Sequence, residues 1–187
     1  PVTINGNGSI TGISAGGLPS GSLTLSKTDM PAGTVIQCVT DTTTAATNNN
    51  GNTYVTINGL SVTMTPRAAN SKFYAIFEGH FYVDYGGSGS NSAHGFGYNI
   101  YKDGTRFTTS PNDTGGGENS ERPYDWYNDG AHRTVARLMK TGQGTFGSTS
   151  AATFTVKFKA YYANSQYTVK INENGADETQ AQLTVME

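Results

Sequence analysis

Residues 118–133 read ENSERPYDWYNDGAHR, the densest cluster in the chain of side chains able to do chemistry. Four carboxylates, Glu118, Glu121, Asp125 and Asp129, stand around Arg122, Asn128, Tyr124, Tyr127 and the single tryptophan, Trp126. Two carboxylates cleave a glycosidic bond when they flank it and burial raises the pKa of one. Acids in a Gly-rich polar stretch carry no sign of burial. They read as solvated loop acids, and no catalytic residue is assigned. The same residue types suit sugar binding better. A flat aromatic face stacks on the apolar side of a pyranose, while carboxylates, amides and arginine bond its hydroxyls. Arg122, Tyr124, Asp125, Trp126, Tyr127, Asn128 and Asp129 are therefore the candidate receptor-binding set. The competing reading is that Trp126 plugs its loop onto the body of the protein or packs across a subunit seam.

A second stretch, YGGSGSNSAHG, spans Tyr85–Gly95. Its Gly and Ser residues leave backbone groups open to hydrogen bonding, and Asn91 and His94 add polar handles. It joins the candidate receptor site, with a mobile spacer as the alternative. The three histidines, His80, His94 and His132, lie far apart with no H-x-H pair. ENSERPYDWYND lacks the spacing of a calcium-binding EF-hand. No metal site and no cofactor are expected, and neither a phosphate-binding loop nor a nucleophile elbow occurs.

Composition narrows the classes further. Of 187 residues only 14% are charged, against about 25% in an average soluble domain. The formal net charge of −2 gives no broad attraction to nucleic acid. No apolar run approaches the ~20 residues of a membrane-spanning helix, so no membrane insertion is expected. The sequence starts at Pro1 and reads as a fragment of something longer. Cys38 has no second cysteine to pair with, and within VIQCV it reads as a small buried hydrophobe.

Tyrosine and threonine favour strands; glycine and asparagine favour turns. The elements follow from period-two alternation. GTVIQCVTDT reads as a strand and TTTAATNNNGN as a polar turn region. In TYVTINGLSVTMTP, Val55 and Ile57 alternate in one phase and Leu60, Val62 and Met64 in the other. The phase change at Gly59 predicts a bulge. KFYAIFEGHFYVDYG is the clearest strand. Phe73, Ala75, Phe77, Phe81 and Val83 form its core face, and Gly79 leaves a gap in it. GFGYNIYKDGTRFT predicts a hairpin with a Lys-Asp-Gly turn. HRTVARLMKTG fits a strand or one helical turn, and is assigned as a strand because strands surround it. TFTVKFKAYYA alternates with Phe154, Val156, Phe158 and Ala160 inward and Thr155, Lys157 and Lys159 outward. QYTVKINENG and QAQLTVME complete the set. Short strands broken by Gly/Asn turns predict an all-β, antiparallel β-sandwich of jelly-roll type.

Two features call for partner chains. Residues 1–30 contain no aromatic side chain and only scattered apolar ones, including Ile10, Ile13 and Leu18. Alone they bury too little surface to offset their ordering entropy. They form either a flexible linker or an extended stem wound around copies of itself, and the recurring isoleucines favour the stem. The second face of KFYAIFEGHFYVDYG mixes Tyr74, Ile76, His80 and Tyr82 with Glu78 and Asp84. That mixture suits a subunit interface better than a solvated face. The expectation is a homotrimer, with a stem over 1–30 and a head over 31–187.

GSITGISAGGLPSGSL, PAGTVIQCV, GLSVTMTPRAANSKFYAIFEG, GYNIYKDGTRF and the closing LTVME resemble virion-appendage proteins of tailed bacteriophages. The resemblance covers about Ile10–Glu187, and its motifs are structural. It implies a trimeric tail fibre tip, located on the virion outside the cell. Such a tip joins the rest of the fibre or tail and binds a host cell-surface glycan or protein receptor. Two other readings remain. A C1q/TNF-like trimeric head of another bacterial surface filament shares the architecture, but the stem lacks the G-x-y repeat of a collagen stalk. A polysaccharide depolymerase would need a larger β-helical body than this length allows.

Overall fold

The computed structural model describes residues 3–4, 10–11, 33–85, 96–107, 120–121, 132–160, 167–172 and 180–187; side chains are described within 33–82, 96–107, 137–160, 168–172 and 180–187. The chain divides into two units, Pro1–Thr34 and Val35–Glu187, so the boundary expected after residue 30 falls after Thr34. In the first unit, β1 (Thr3–Ile4) pairs antiparallel with β2 (Ile10–Thr11), with Ile4 opposite Ile10. This short ladder lies within one chain.

The second unit is an antiparallel β-sandwich, with no helix among the described residues. Its strands are β3 (Cys38–Thr43), β4 (Thr47–Asn49), β5 (Val55–Met64), β6 (Lys72–Tyr85), β7 (Phe96–Lys102), β8 (Thr105–Arg106), β9 (Ser120–Glu121), β10 (His132–Thr145), β11 (Ala152–Ala160), β12 (Tyr167–Ile171) and β13 (Ala181–Met186). The six-stranded sheet is built on the 14-residue β6. One edge of β6 pairs along its whole length with β10. Its other edge takes β13 over Tyr74–Glu78 and β12 over Phe81–Tyr85, followed outward by β3 and β4 respectively. The five-stranded sheet runs β5–β11–β7, and β8 and β9 share the far edge of β7.

The core lies between the sheets and is dominated by phenylalanine. Phe73 meets Phe154 edge-on at 5.0 Å, Phe81 meets Phe158 at 5.7 Å, and Phe77 lies 5.9 Å from Tyr98. Each pair joins a residue of β6 to one of the facing sheet, so the alternation in KFYAIFEGHF and TFTVKFKA builds one interior. Burying each such ring removes roughly 150–250 Å² from water, which makes these side chains the main source of stability. Gly79 leaves the expected gap, and the structure shows what fills it. A Cβ there would stand 2.7 Å from Phe77 Cζ and 3.1 Å from Ile171 Cδ1.

The predicted phase change in β5 is a bulge. Thr155 pairs with Ser61, yet Lys157 pairs with Thr56, so extra residues of β5 bow out between them. Gly59 takes φ +67° there, and both Ile57 and Leu60 turn inward. The turn after β3 grips this bulge. Thr43 Oγ1 donates to Asn58 O at 3.0 Å, and Asn58 N donates to Thr47 Oγ1 at 2.8 Å. The turn predicted at Lys-Asp-Gly is made by two residues between β7 and β8, Asp103 (φ +50°) and Gly104 (φ +79°), with the type I′ signs. HRTVARLMKTG is a strand, part of β10.

Two expectations are corrected. Cys38 is exposed, not buried. Its register opposite Met186 turns it to the outer face with Tyr74, while Val39 packs on the core. Counting apolar neighbours in VIQCV missed which face each residue takes, and Val35 lies outside the strand and exposed. The turn region TTTAATNNNGN contains a strand, β4. Its inward residues are Thr47 and Asn49, held by hydrogen bonds and not by apolar packing; Asn49 Nδ2 donates to Phe158 O at 3.1 Å and Thr53 O at 2.9 Å. Hydrophobic alternation carries no signal for such a strand.

Candidate functional site

The strand order sorts the ends of the head. Val35–Gln37, where the chain enters this unit, lie against its last residue. Ile36 N donates to Glu187 O at 2.7 Å, and Glu187 N donates to Gln37 O at 2.9 Å. The Glu187 side chain accepts from Arg67 N at 2.9 Å and from the Gln37 amide. At this end β6 begins, with Tyr74 opposite Met186, and β10 finishes, with Thr145 opposite Lys72. The opposite end collects other termini. Tyr85, the end of β6, pairs with His132, the start of β10, and with Tyr167, the start of β12. Phe96, the start of β7, pairs with Glu121, the end of β9, and with Ala160, the end of β11. Segments 86–95 and 122–131 are therefore both tethered at the end remote from Val35 and Glu187. Asn91, His94, Arg122, Tyr124, Asp125, Trp126, Tyr127, Asn128 and Asp129 lie in these segments, outside the described residues.

The expected interface residues share one face. Tyr74, Ile76, Glu78, His80 and Tyr82 all point away from the core of the sandwich. The register extends this face across neighbouring strands, as Cys38–Met186–Tyr74–Gln143 and Thr40–Thr184–Ile76–Thr141. Tyr74 is 39% exposed, and Met139, opposite Glu78 on β10, is 66% exposed. An ion pair between Arg137 and Glu78 crosses the same surface. His80 and Ile76 are half-buried, and Tyr82 is covered within its own chain at 6% exposure. Among the described residues no three His, Cys, Asp or Glu side chains come together as a metal site would require. Ile10 is placed in β2 by its backbone, and Ile13 and Leu18 lie outside the described residues.

A second constellation stands on the outer face of the five-stranded sheet. Here β7 is buried on both faces: Phe96, Tyr98 and Ile100 point into the core, and Asn99 and Tyr101 point outward yet are only 4% and 8% exposed. The rings of Tyr54 and Tyr101 meet edge-on at 6.0 Å. Lys157 Nζ lies 4.6 Å above the Tyr101 ring, and Lys159 Nζ lies 5.1 Å above the Tyr54 ring. Asn99 Nδ2 donates to the Tyr54 hydroxyl at 3.1 Å. Arg106 stands in register with Tyr101 across the hairpin. Burial pushes the Tyr101 phenol above its ordinary 10.0, helped by neighbouring Tyr54 and opposed by Arg106. Burial lowers Lys159 from 10.5, and the like charge of Arg106 lowers it further. These are two cation–π pairs locked side by side.

Sequence reasoning placed Lys157 and Lys159 outward without giving them a role, and it read YKDGTRF as part of a hairpin and its turn. The available signal was the placement of Tyr101 and Arg106 on the two arms of that hairpin. The pairing of the hairpin with β11, which no local pattern encodes, unites them with the lysines. The class defined by these observations is an all-β sandwich with an aromatic–cationic face. Compared with known proteins, the chain matches no family model and no curated protein in sequence.

Proposed function

We propose that this chain is the head of a homotrimeric tail fibre of a tailed bacteriophage. It is a virion structural protein that binds a host cell-surface glycan without cleaving it. The observation that carries the reading is the strand order, which tethers segments 86–95 and 122–131 at the end remote from Val35 and Glu187. A receptor-binding tip needs its variable loops at one end and its attachment to the fibre at the other. Trp126 and its neighbours then offer a stacking surface at the free end. Tyr74 and Met139, exposed on the outer face of the six-stranded sheet, supply apolar area for a copy of the chain.

Two measurements test this reading. Sedimentation equilibrium at micromolar concentration is expected to give three times the mass of one chain. The double variant Tyr74→Lys/Met139→Lys is expected to give one chain's mass. In the second measurement, Trp126→Ala is expected to keep the parent's mass and melting temperature but lose adsorption to host cells. A folded parent monomer would end the trimeric reading. Undiminished adsorption by Trp126→Ala would end the role of that loop.

A further inference from the structure

The outer face of the five-stranded sheet concentrates positive charge on a chain whose net charge is −2. Three of its 12 lysines and arginines stand there on the two strands that flank β7, Arg106 on β8 and Lys157 and Lys159 on β11. Thr155 faces Tyr101, which faces Arg106; Lys157 faces Asn99; Lys159 faces Gly97. Two ammonium groups are therefore held by the rings of Tyr54 and Tyr101, and those rings are held by each other and by Asn99. Long cationic side chains normally extend into water and lose rotamer freedom when held. Here they lie half-buried beside like charge, an arrangement that costs stability, as the lowered pKa of Lys159 records. A ligand anion reverses that cost, because it meets cations already oriented and partly stripped of water.

We propose that Lys157 and Lys159, set over the Tyr101 and Tyr54 rings, form with Arg106, in register with Tyr101, a seat for the anionic group of an acidic saccharide. The saccharide class rests on the adhesion function proposed above. The seat itself rests on the geometry of this sheet. The lysine ammoniums donate to the anion, whether it is the carboxylate of a uronic acid or the phosphate of a sugar phosphate. The Tyr54 and Tyr101 phenols flank the sugar hydroxyls. Neutral saccharides lack the partner that makes the site favourable.

The test is calorimetric titration of the full chain with three probes: a galacturonic acid oligosaccharide, a sugar phosphate, and a neutral galactose oligosaccharide of matched length. The two anionic probes are compared at low salt and at ~0.15 M salt, where exposed charges are substantially screened. At least one anionic probe is expected to bind about tenfold more tightly than the neutral one, and which of them does identifies the source of the anion. Lys157→Gln and Lys159→Gln are each expected to weaken that binding about tenfold, as loss of one charge-assisted hydrogen bond predicts. Lys157→Arg is expected to restore most of it. Lys72→Gln removes an exposed charge on the other sheet, at the start of β6, and is expected to change nothing. Melting curves verify that each variant is folded. The proposal is overturned if no anionic probe outcompetes the neutral one. It is equally overturned if Lys157→Gln, Lys159→Gln and Lys72→Gln all bind alike. Host-cell adsorption separates the two ideas. A parent that adsorbs but ignores both anions sinks this site and leaves the adhesion function standing. A parent that binds an anion through Lys157 and Lys159 but fails to adsorb does the reverse.

Discussion

Replacing Gly79 with alanine tests how tightly the interior of the head is packed. The new Cβ would lie 2.7 Å from Phe77 Cζ, 3.3 Å from Phe77 Cε2 and 3.1 Å from Ile171 Cδ1. Carbon atoms in packed interiors settle about 3.5–4.0 Å apart, so the methyl group cannot fit without movement. The Phe77 ring has little freedom to give way, because Phe81 lies 6.1 Å from it and Tyr98 5.9 Å from it, centroid to centroid. Ile171 is fully buried. Overpacking of this kind costs about 1–3 kcal/mol. Alanine recovers about 0.5–1 kcal/mol of that, because glycine loses more backbone entropy on folding. From the middle of those two ranges the net expectation is a loss of about 1 kcal/mol, or roughly 2–4 °C in melting temperature for a domain of this size. Urea unfolding should show a lower midpoint with an unchanged slope. Phe77→Leu removes the clashing ring carbons, so the double variant Gly79→Ala/Phe77→Leu should be more stable than additivity predicts, by about 1 kcal/mol. The packing argument fails if Gly79→Ala is as stable as the parent, or if the two losses simply add.

Two further outcomes follow from the hydrogen bonds. Thr43→Val should cost about 1–2 kcal/mol by urea unfolding, because it strands Asn58 O and the Ala45 N–H, which bond Thr43 Oγ1 at 3.0 Å each; Thr43→Ser should cost far less. Asp103→Asn should flatten the acid limb of the stability curve. The hydrogen bond from Thr153 N–H is the main cause holding the Asp103 carboxyl below its ordinary 3.8, and Lys102 adds to it. A depressed folded-state value makes this contribution complete above the ordinary value and lost as pH falls through the folded one. The group is largely exposed, so the effect stays below about 1 kcal/mol. Asparagine tolerates the positive φ, and the turn itself should persist; chemical unfolding between about pH 2 and pH 5 reads the difference.

Much of the head was legible because its strands are half-buried and alternate. A residue facing the core must be apolar and its neighbour faces away, so KFYAIF and TFTVKFKA announce both their conformation and their inner faces. The bulge was legible because a phase change at glycine has few other physical causes. The turn at Lys-Asp-Gly was legible because Asp-Gly is among the few pairs that accept positive φ at both positions. Strand β4 and the outward turn of Cys38 were not, since side-chain hydrogen bonds and register decide them. The candidate interface residues Tyr74, Ile76, His80 and Tyr82 do share an outer face, as alternation required. Only the packed fold separates exposed Tyr74 from Tyr82, which its own chain covers.

The amino-acid order alone determined that this chain makes sheets, where they bend, and which side chains form their interior. Those are local consequences of side-chain shape and of a two-residue repeat. Tertiary structure decided which strands lie side by side. It tethered segments 86–95 and 122–131 at one end, and it drew Tyr54, Asn99, Tyr101, Arg106, Lys157 and Lys159 onto one surface. Pairing across long stretches of sequence depends on how two whole sheets bury their apolar faces together, and no window of neighbouring residues contains that information.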